Sequence, residues 1–345
     1  MLPAVFGGET KARKIDTQIP LPRINLSELG EKEESRKFRR TVFTQENWVV
    51  HRRKDRYARH MLGVLTSRIV RELAKPLLIV AGISILVCSL ETIRELGILP
   101  KDWPSLSVQV GEPFKLASFA LSLLLVFRTD TSYARWLDAR KAWDTILVGS
   151  RDFVRQGLTC LDTEEDGLRS MLQRWTVAFM RTTKVHFRPD DDLREDLESV
   201  LLPEELKQLL QADHKPNFVL QVLGAIVCRL NTQSDATLAL LNEHLRAFAE
   251  ALGTCERISS TPIPLMFTRH TSRCLVIYLT FLPLALWDQC RWASIPSSVV
   301  IAFLLLGIDE IGVQIESPLD LLPLDTICNM GEANIEEMMG SQAKD

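Results

Sequence analysis

The feature that most constrains the fold is a set of four apolar runs without a charged residue. They cover residues 76–90, 116–127, 274–287 and 292–308. Each run is shorter than the roughly 18–20 residues of an isolated transmembrane helix, so length alone also allows buried helices of a soluble core. The residues that flank the runs are therefore needed to distinguish membrane spans from buried core helices.

Those flanks favour a membrane. Tryptophans lie at or beyond the ends of the runs, as in an interfacial belt. Basic residues gather before the first run, after the second and before the third, whereas the connections 91–115 and 288–291 are poorer in them. This is the positive-inside pattern of four spans with both termini on one side. The tryptophans are Trp103, Trp136, Trp287 and Trp292, and the clustered basic residues include Arg68, Arg71, Lys75, Arg128, Arg135, Arg140, Lys141, Arg257, Arg269 and Arg273.

The remainder of the chain is polar and helical in pattern. Residues 137–260 place apolar side chains at helical spacing, and neither strand alternation nor a Gly-rich hairpin is visible. The sequence predicts an all-α, polytopic membrane protein with four transmembrane helices and a large helical extramembrane domain. The predicted segments are an N-terminal arm with a basic stretch (1–60), the first two spans (61–129), the helical domain (130–260), the third and fourth spans (261–310) and a C-terminal segment that packs on the helical domain (311–345).

The second run carries a bulky apolar stripe. Phe119, Leu123 and Phe127 recur every four residues, which places them along one side of a helix. Such a stripe is ordinary core in a soluble protein, but in a membrane oligomer it can form the wall of a hydrophobic constriction. Arg128, Asp130 and Arg135 follow as a polar collar, and for Arg135 and Asp130 ion pairs that support the structure are a better prediction than a filter role.

Enzyme chemistry finds little support in the sequence. It lacks GxSxG, P-loop, GxGxxG and HExxH motifs. The seven Cys include no CxxC pair and the six His are scattered, so neither a cofactor nor a metal site is predicted. A net charge of −3 gives no global basic surface for nucleic acid. The sequence therefore predicts no catalytic residue.

Three blocks of sequence resemble the bestrophin family of anion channels. They read LLLVFRTDTSYARWLDARKAW at 123–143, PIPLMFTRHTSRCLVIYLTFLPLALW at 262–287 and IESPLDLLPLD at 315–325. The resemblance covers about residues 40–340, with the blocks in family order. The short sequence motifs VFRT, RKAW and LPL are most similar to those of the thylakoid branch of plants and algae, known as voltage-dependent chloride channels.

The resemblance implies a homopentamer with one central pore, whose neck falls on Phe119, Leu123 and Phe127. A second constriction, the aperture, falls near Ser234, Ala236 and Thr237. The implied function is passive conduction of chloride and other small anions by a multi-pass protein of the thylakoid membrane, in contact with lipid and with its own copies. A bicarbonate channel of an algal carbon-concentrating system is the alternative within the family.

One departure from the family concerns calcium. Animal members carry a run of acidic residues after the fourth span, which forms a calcium clasp. Here residues 319–325 read LDLLPLD, and leucine side chains cannot supply the oxygen ligands that calcium needs. We therefore expect a channel that calcium does not open.

Two other classes stay open at the level of sequence. A soluble or peripheral helical scaffold would use the apolar runs as core. A coupled transporter is disfavoured because none of the four runs contains an ionisable residue of the kind that coupling sites use.

Overall fold

A computed structural model describes residues 42–54, 56–63, 68–98, 111–160, 166–188, 190–230 and 235–342. Within these ranges the chain forms helices and turns but no strand, so the all-α prediction is confirmed for the described part. Most of the predicted N-terminal arm lies outside the described residues. The helices are α1 Gln45–His51, α2 Arg56–Gly63, α3 Arg68–Glu95, α4 Gly111–Cys160, α5 Asp166–Phe187, α6 Leu193–Leu197, α7 Pro203–Gln211, α8 Lys215–Arg229, α9 Asp235–Ser260, α10 Leu265–Cys290, α11 Ser294–Glu316, α12 Pro318–Leu321 and α13 Leu324–Gln342.

Two helical stretches of the described chain are long and apolar enough to cross a membrane. One is Ile69–Glu95, nearly all of α3, and the other is Leu265–Glu316, which joins α10 and α11 through the short 3-10 turn Arg291–Ala293. At 1.5 Å per residue, α10 and α11 each reach more than the roughly 30 Å of a bilayer core. Arg291 has a φ of 52°, which ends α10 and lets the chain turn back as a helical hairpin. These helices extend beyond the apolar runs at their ends, where their residues are polar.

α4 is a single helix of 50 residues. It runs through the predicted boundary at 129/130, which therefore divides one helix into two parts. No proline follows Pro113 within it, so nothing stops the helix after the second apolar run. Gly149 and Gly157 allow close approach on its C-terminal half, where an added Cβ would clash with the side chains of Phe248 and Leu172, respectively. α4 thus continues from the membrane part into the helical domain.

The N-terminal half of α4 packs with α3, α10 and α11 around one small apolar core. That core comprises Val80, Leu121, Leu125, Leu275, Leu279, Leu282 and Ala302. Where α3 meets α11 the buried residues are small, and the Cys88 Sγ and Ser294 Oγ atoms lie 3.1 Å apart. Small residues let helix backbones approach closely, which is how helices associate in a membrane. The arrangement matches the four predicted spans.

The C-terminal half of α4 belongs to a second, larger core. Trp143 and Phe153 of α4, Phe179 of α5 and Phe248 of α9 are fully buried there. The Phe248 ring centroid lies 5.1 Å from that of Phe179 and 5.8 Å from that of Phe153. Aromatic rings at these separations pack favourably. α13 closes the same core with buried apolar residues that include Leu324, Ile327 and Ile335.

Candidate functional site

The predicted stripe on α4 is exposed in the single chain. Phe119, Leu123 and Phe127 have exposures of 71%, 44% and 53%, whereas Leu121 and Leu125 on the other side have 4% and 1%. The helix therefore packs with one side into the four-helix core and leaves its bulkiest residues uncovered. Packing within one protomer does not explain these three residues.

Polar residues bound this apolar stripe at both ends. Lys115 and Thr131 extend the same four-residue spacing before Phe119 and after Phe127, and both are exposed. The Thr131 hydroxyl donates a 2.7 Å hydrogen bond to the Phe127 carbonyl. Unlike the two stretches Ile69–Glu95 and Leu265–Glu316, α4 is not apolar enough to be identified as a membrane span from its composition. Its exposed side is thus an apolar patch of limited length between polar ends.

Arg128 lies on the side of α4 opposite to the exposed stripe. It is buried, forms an ion pair with Asp309 of α11 and donates a 3.3 Å hydrogen bond to the Ser272 hydroxyl of α10. These contacts join three helices and fix the rotation of α4 about its own axis. Asp309 was not among the predicted residues, although it follows the fourth apolar run directly, as Arg128 follows the second.

Arg135 binds the end of another helix. Its guanidinium donates 2.7 Å hydrogen bonds to the carbonyls of Ile258 and Thr261 and a 3.4 Å bond to the carbonyl of Glu316. Carbonyls in the last turn of a helix have no intrahelical donor, so Arg135 satisfies the C-terminal end of α9. The predicted ion pair of Arg135 is replaced by these backbone contacts. Asp130, the third collar residue, is exposed.

The predicted aperture residues lie at the start of α9. Ala236 is exposed and Thr237 is half-buried in its first turn, far from the neck stripe in sequence. Ser234 lies outside the described residues. The aperture remains a prediction.

A cationic cluster holds the segment after the fourth span. Arg188 donates hydrogen bonds of 3.3 and 3.2 Å to the Leu319 carbonyl, binds the Leu322 carbonyl and reaches Asp325 Oδ2 at 3.0 Å. Lys184 donates to Asp325 Oδ1 at 2.9 Å. Burial raises the pKa of Asp325, but the hydrogen bond from Lys184 and the charges of Lys184 and Arg188 outweigh it and hold that pKa below its usual range. Two carbonyls and a carboxylate of this segment are therefore already bound by side chains of the protein.

A four-helix membrane part that continues through one long helix into a helical domain, with an apolar stripe left open, defines a helical multi-pass membrane protein. The family model described as Bacterial/Fungal Bestrophin protein matches residues 47–337. The chain belongs to the bestrophin family, and the resemblance predicted from the three sequence blocks is confirmed.

Several relatives agree with that assignment. The chain is 35% identical over 313 residues to an Arabidopsis thaliana protein named voltage-dependent chloride channel 1, chloroplastic, covering 90% of this chain and 76% of that one. It is 31% identical to a Nostoc protein named as a voltage-dependent anion channel-forming protein, covering 70% of this chain and 83% of that one. Among solved structures, a bacterial bestrophin homologue from Klebsiella pneumoniae is similar with a TM-score of 0.69 and 30% identity, covering 78% of this chain and 98% of that one.

The contact between Arg128 and Asp309 leads to a test of what holds α4 in place. Asp309→Asn leaves the buried Arg128 guanidinium without its carboxylate, which costs about 3–5 kcal/mol when a buried pair is broken on one side. We expect a clear fall in the thermal unfolding temperature of the detergent-purified protein, followed by size-exclusion fluorescence. The double variant Arg128→Met with Asp309→Leu removes both charges and should recover most of the loss.

The exposed pair between Arg291 and Glu95 provides the control. These side chains are 56% and 45% exposed, and exposed pairs contribute about 0–1 kcal/mol. Glu95→Gln should therefore change the unfolding temperature little. An Asp309→Asn variant as stable as Glu95→Gln would contradict a structural role for the buried pair.

Proposed function

We propose that this protein is a passive anion channel that conducts through a neck formed by Phe119, Leu123 and Phe127. The observation that carries the proposal is the exposure of these three large apolar side chains on α4 in a chain of the bestrophin family. In a homopentamer with α4 around the axis, each residue is repeated five times and forms a ring. The rings stack into an apolar constriction about 12 Å long, because the eight residues from Phe119 to Phe127 rise by that distance along a helix.

Such a neck selects by hydration rather than by a fixed charge. An anion that releases water easily crosses an apolar constriction at a lower cost. The edges of phenylalanine rings carry partial positive charge and attract anions rather than cations. Lys115 lies one turn before Phe119 on the same exposed side of α4, so a polar residue stands at that end of the stripe.

We further propose chloride as the principal ion and the chloroplast thylakoid as the membrane. The ion and the organelle are those in the names of the Arabidopsis relatives, voltage-dependent chloride channels 1 and 2, chloroplastic. The thylakoid is the membrane implied by the resemblance of VFRT, RKAW and LPL to the thylakoid branch of the family. Bicarbonate is the alternative ion. Conduction through this neck requires no catalytic residue, so we propose no enzymatic activity, and the remaining partners are lipid and other copies of the chain.

Ion selectivity tests the function directly. In a planar bilayer with unequal KCl on its two sides, the purified protein should give a current that reverses close to the chloride equilibrium potential. Replacing chloride by bicarbonate on one side then ranks the two anions. A reversal potential that follows potassium, or the absence of current from protein that elutes as a folded oligomer, would overturn the proposal.

The neck itself is tested by Phe127→Ala. Loss of the ring widens the last constriction, so we expect single-channel conductance to increase or rectification to weaken. Val300→Ala is the matched control, because Val300 is a similarly exposed apolar residue (58%) on α11, outside the neck helix. Currents that are the same in both variants and the parent would show that Phe127 does not line the path.

Calcium independence rests on the cationic cluster around residues 319–325. Arg188 and Lys184 already bind the Leu319 and Leu322 carbonyls and the Asp325 carboxylate, so these oxygens are not free for a calcium ion. We expect the open probability to stay constant as free calcium rises through the roughly 10⁻⁷ to 10⁻⁵ M range of calcium sensors. Opening that depends on calcium and disappears with a chelator would refute this part of the proposal.

A further inference from the structure

Three potential metal ligands meet in the helical domain, away from the proposed neck. His186 lies at the end of α5, His214 at the N-cap of α8 and Glu256 in α9. The Nε2 atom of His214 lies 2.9 Å from Glu256 Oε1, and that of His186 lies 3.6 Å from the same oxygen. The available ligand atoms of the three residues all lie within 4.8 Å of one another.

We propose that His186, His214 and Glu256 form a binding site for a divalent transition metal, with Zn²⁺ as the best fit. Imidazole nitrogen and carboxylate oxygen are both zinc ligands. Bonds of 2.0–2.1 Å in a tetrahedron place neighbouring ligand atoms about 3.3 Å apart, between the two observed separations. Three protein ligands leave the fourth position to water.

Access and charge both suit a cation. The three side chains are each about one-third exposed, at 34%, 39% and 37%, so an ion can reach them from solvent. A cavity of about 480 Å³ opens beside His186, with carboxylates as its charged lining apart from one lysine. The carboxylates are Asp190, Asp191, Asp192 and Asp213, and Lys215 is the opposing charge.

Metal binding at this site depends on pH, because a histidine ligates a metal only through a ring nitrogen that carries no proton. Protons therefore compete with the metal as the pH falls.

His214 has a competing contact that limits the affinity. Its Nδ1 accepts a 3.3 Å hydrogen bond from the Asn217 backbone N–H, which requires the proton of the neutral ring to be on Nε2. A metal on Nε2 moves that proton to Nδ1 and removes the bond. Zinc should therefore bind more weakly here than in a closed structural site with four protein ligands.

Zinc titration of the full chain tests the proposal. Detergent-purified protein treated with EDTA should take up one Zn²⁺ per chain in a calorimetric titration at pH 7.5, and much less at pH 5. His186→Gln and Glu256→Gln should each weaken binding by at least about tenfold. Cobalt(II) in place of zinc should give the visible absorption of a four-coordinate nitrogen and oxygen site.

His244→Gln is the matched control. His244 also pairs with a carboxylate, at 3.1 Å from Asp152 Oδ2, but belongs to no group of three ligands among the described residues. This variant should bind zinc like the parent. The proposal is overturned if folded parent protein takes up no zinc, if both His186→Gln and Glu256→Gln bind as the parent does, or if Mg²⁺, which prefers oxygen ligands, binds equally well.

Discussion

The orientation of α4 depends on the buried ion pair between Arg128 and Asp309. A helix with apolar residues on more than one side can rotate to bury any of them. A guanidinium that cannot be left unpaired away from water allows only the rotation that brings it to its carboxylate. That rotation places Leu121 and Leu125 inside the four-helix core and leaves Phe119, Leu123 and Phe127 outside. Such a pair adds little net stability compared with apolar packing, but it specifies one arrangement.

The length of α4 then links the membrane part to the helical domain. The same helix carries the exposed stripe in its first half and Trp143 and Phe153 in the aromatic core of its second half. Arg135, between them, binds the Ile258 carbonyl in the last turn of α9 and the last carbonyl of α11. No loop therefore separates the exposed stripe from the part of α4 that lies in the domain core. The exposed stripe and the packing of the domain thus depend on one continuous helix.

The sequence allowed the helical class, the four apolar helices and the stripe to be predicted, because periodicity and charge placement are local signals. Periodicity alone could not predict the side on which α4 packs, since both candidate sides are apolar and the deciding partner, Asp309, lies 181 residues away. The role of Arg135 was missed for a similar reason, because backbone carbonyls leave no trace in side-chain patterns. His186, His214 and Glu256 come from three helices, so no sequence spacing could bring them together.

The segment 318–325 is held in place by two cationic side chains of α5 and of the residue that follows it, Lys184 and Arg188. Arg188 binds the Leu319 and Leu322 carbonyls of the segment and Lys184 binds the Asp325 carboxylate. Its leucines are then free to be buried, and Leu319, Leu322 and Leu324 have exposures of only 5%, 2% and 0%. Full burial of each such side chain contributes roughly 1.5–3 kcal/mol. The attachment of the last span to the helical domain therefore combines apolar burial with hydrogen bonds and ion pairs from Arg188 and Lys184.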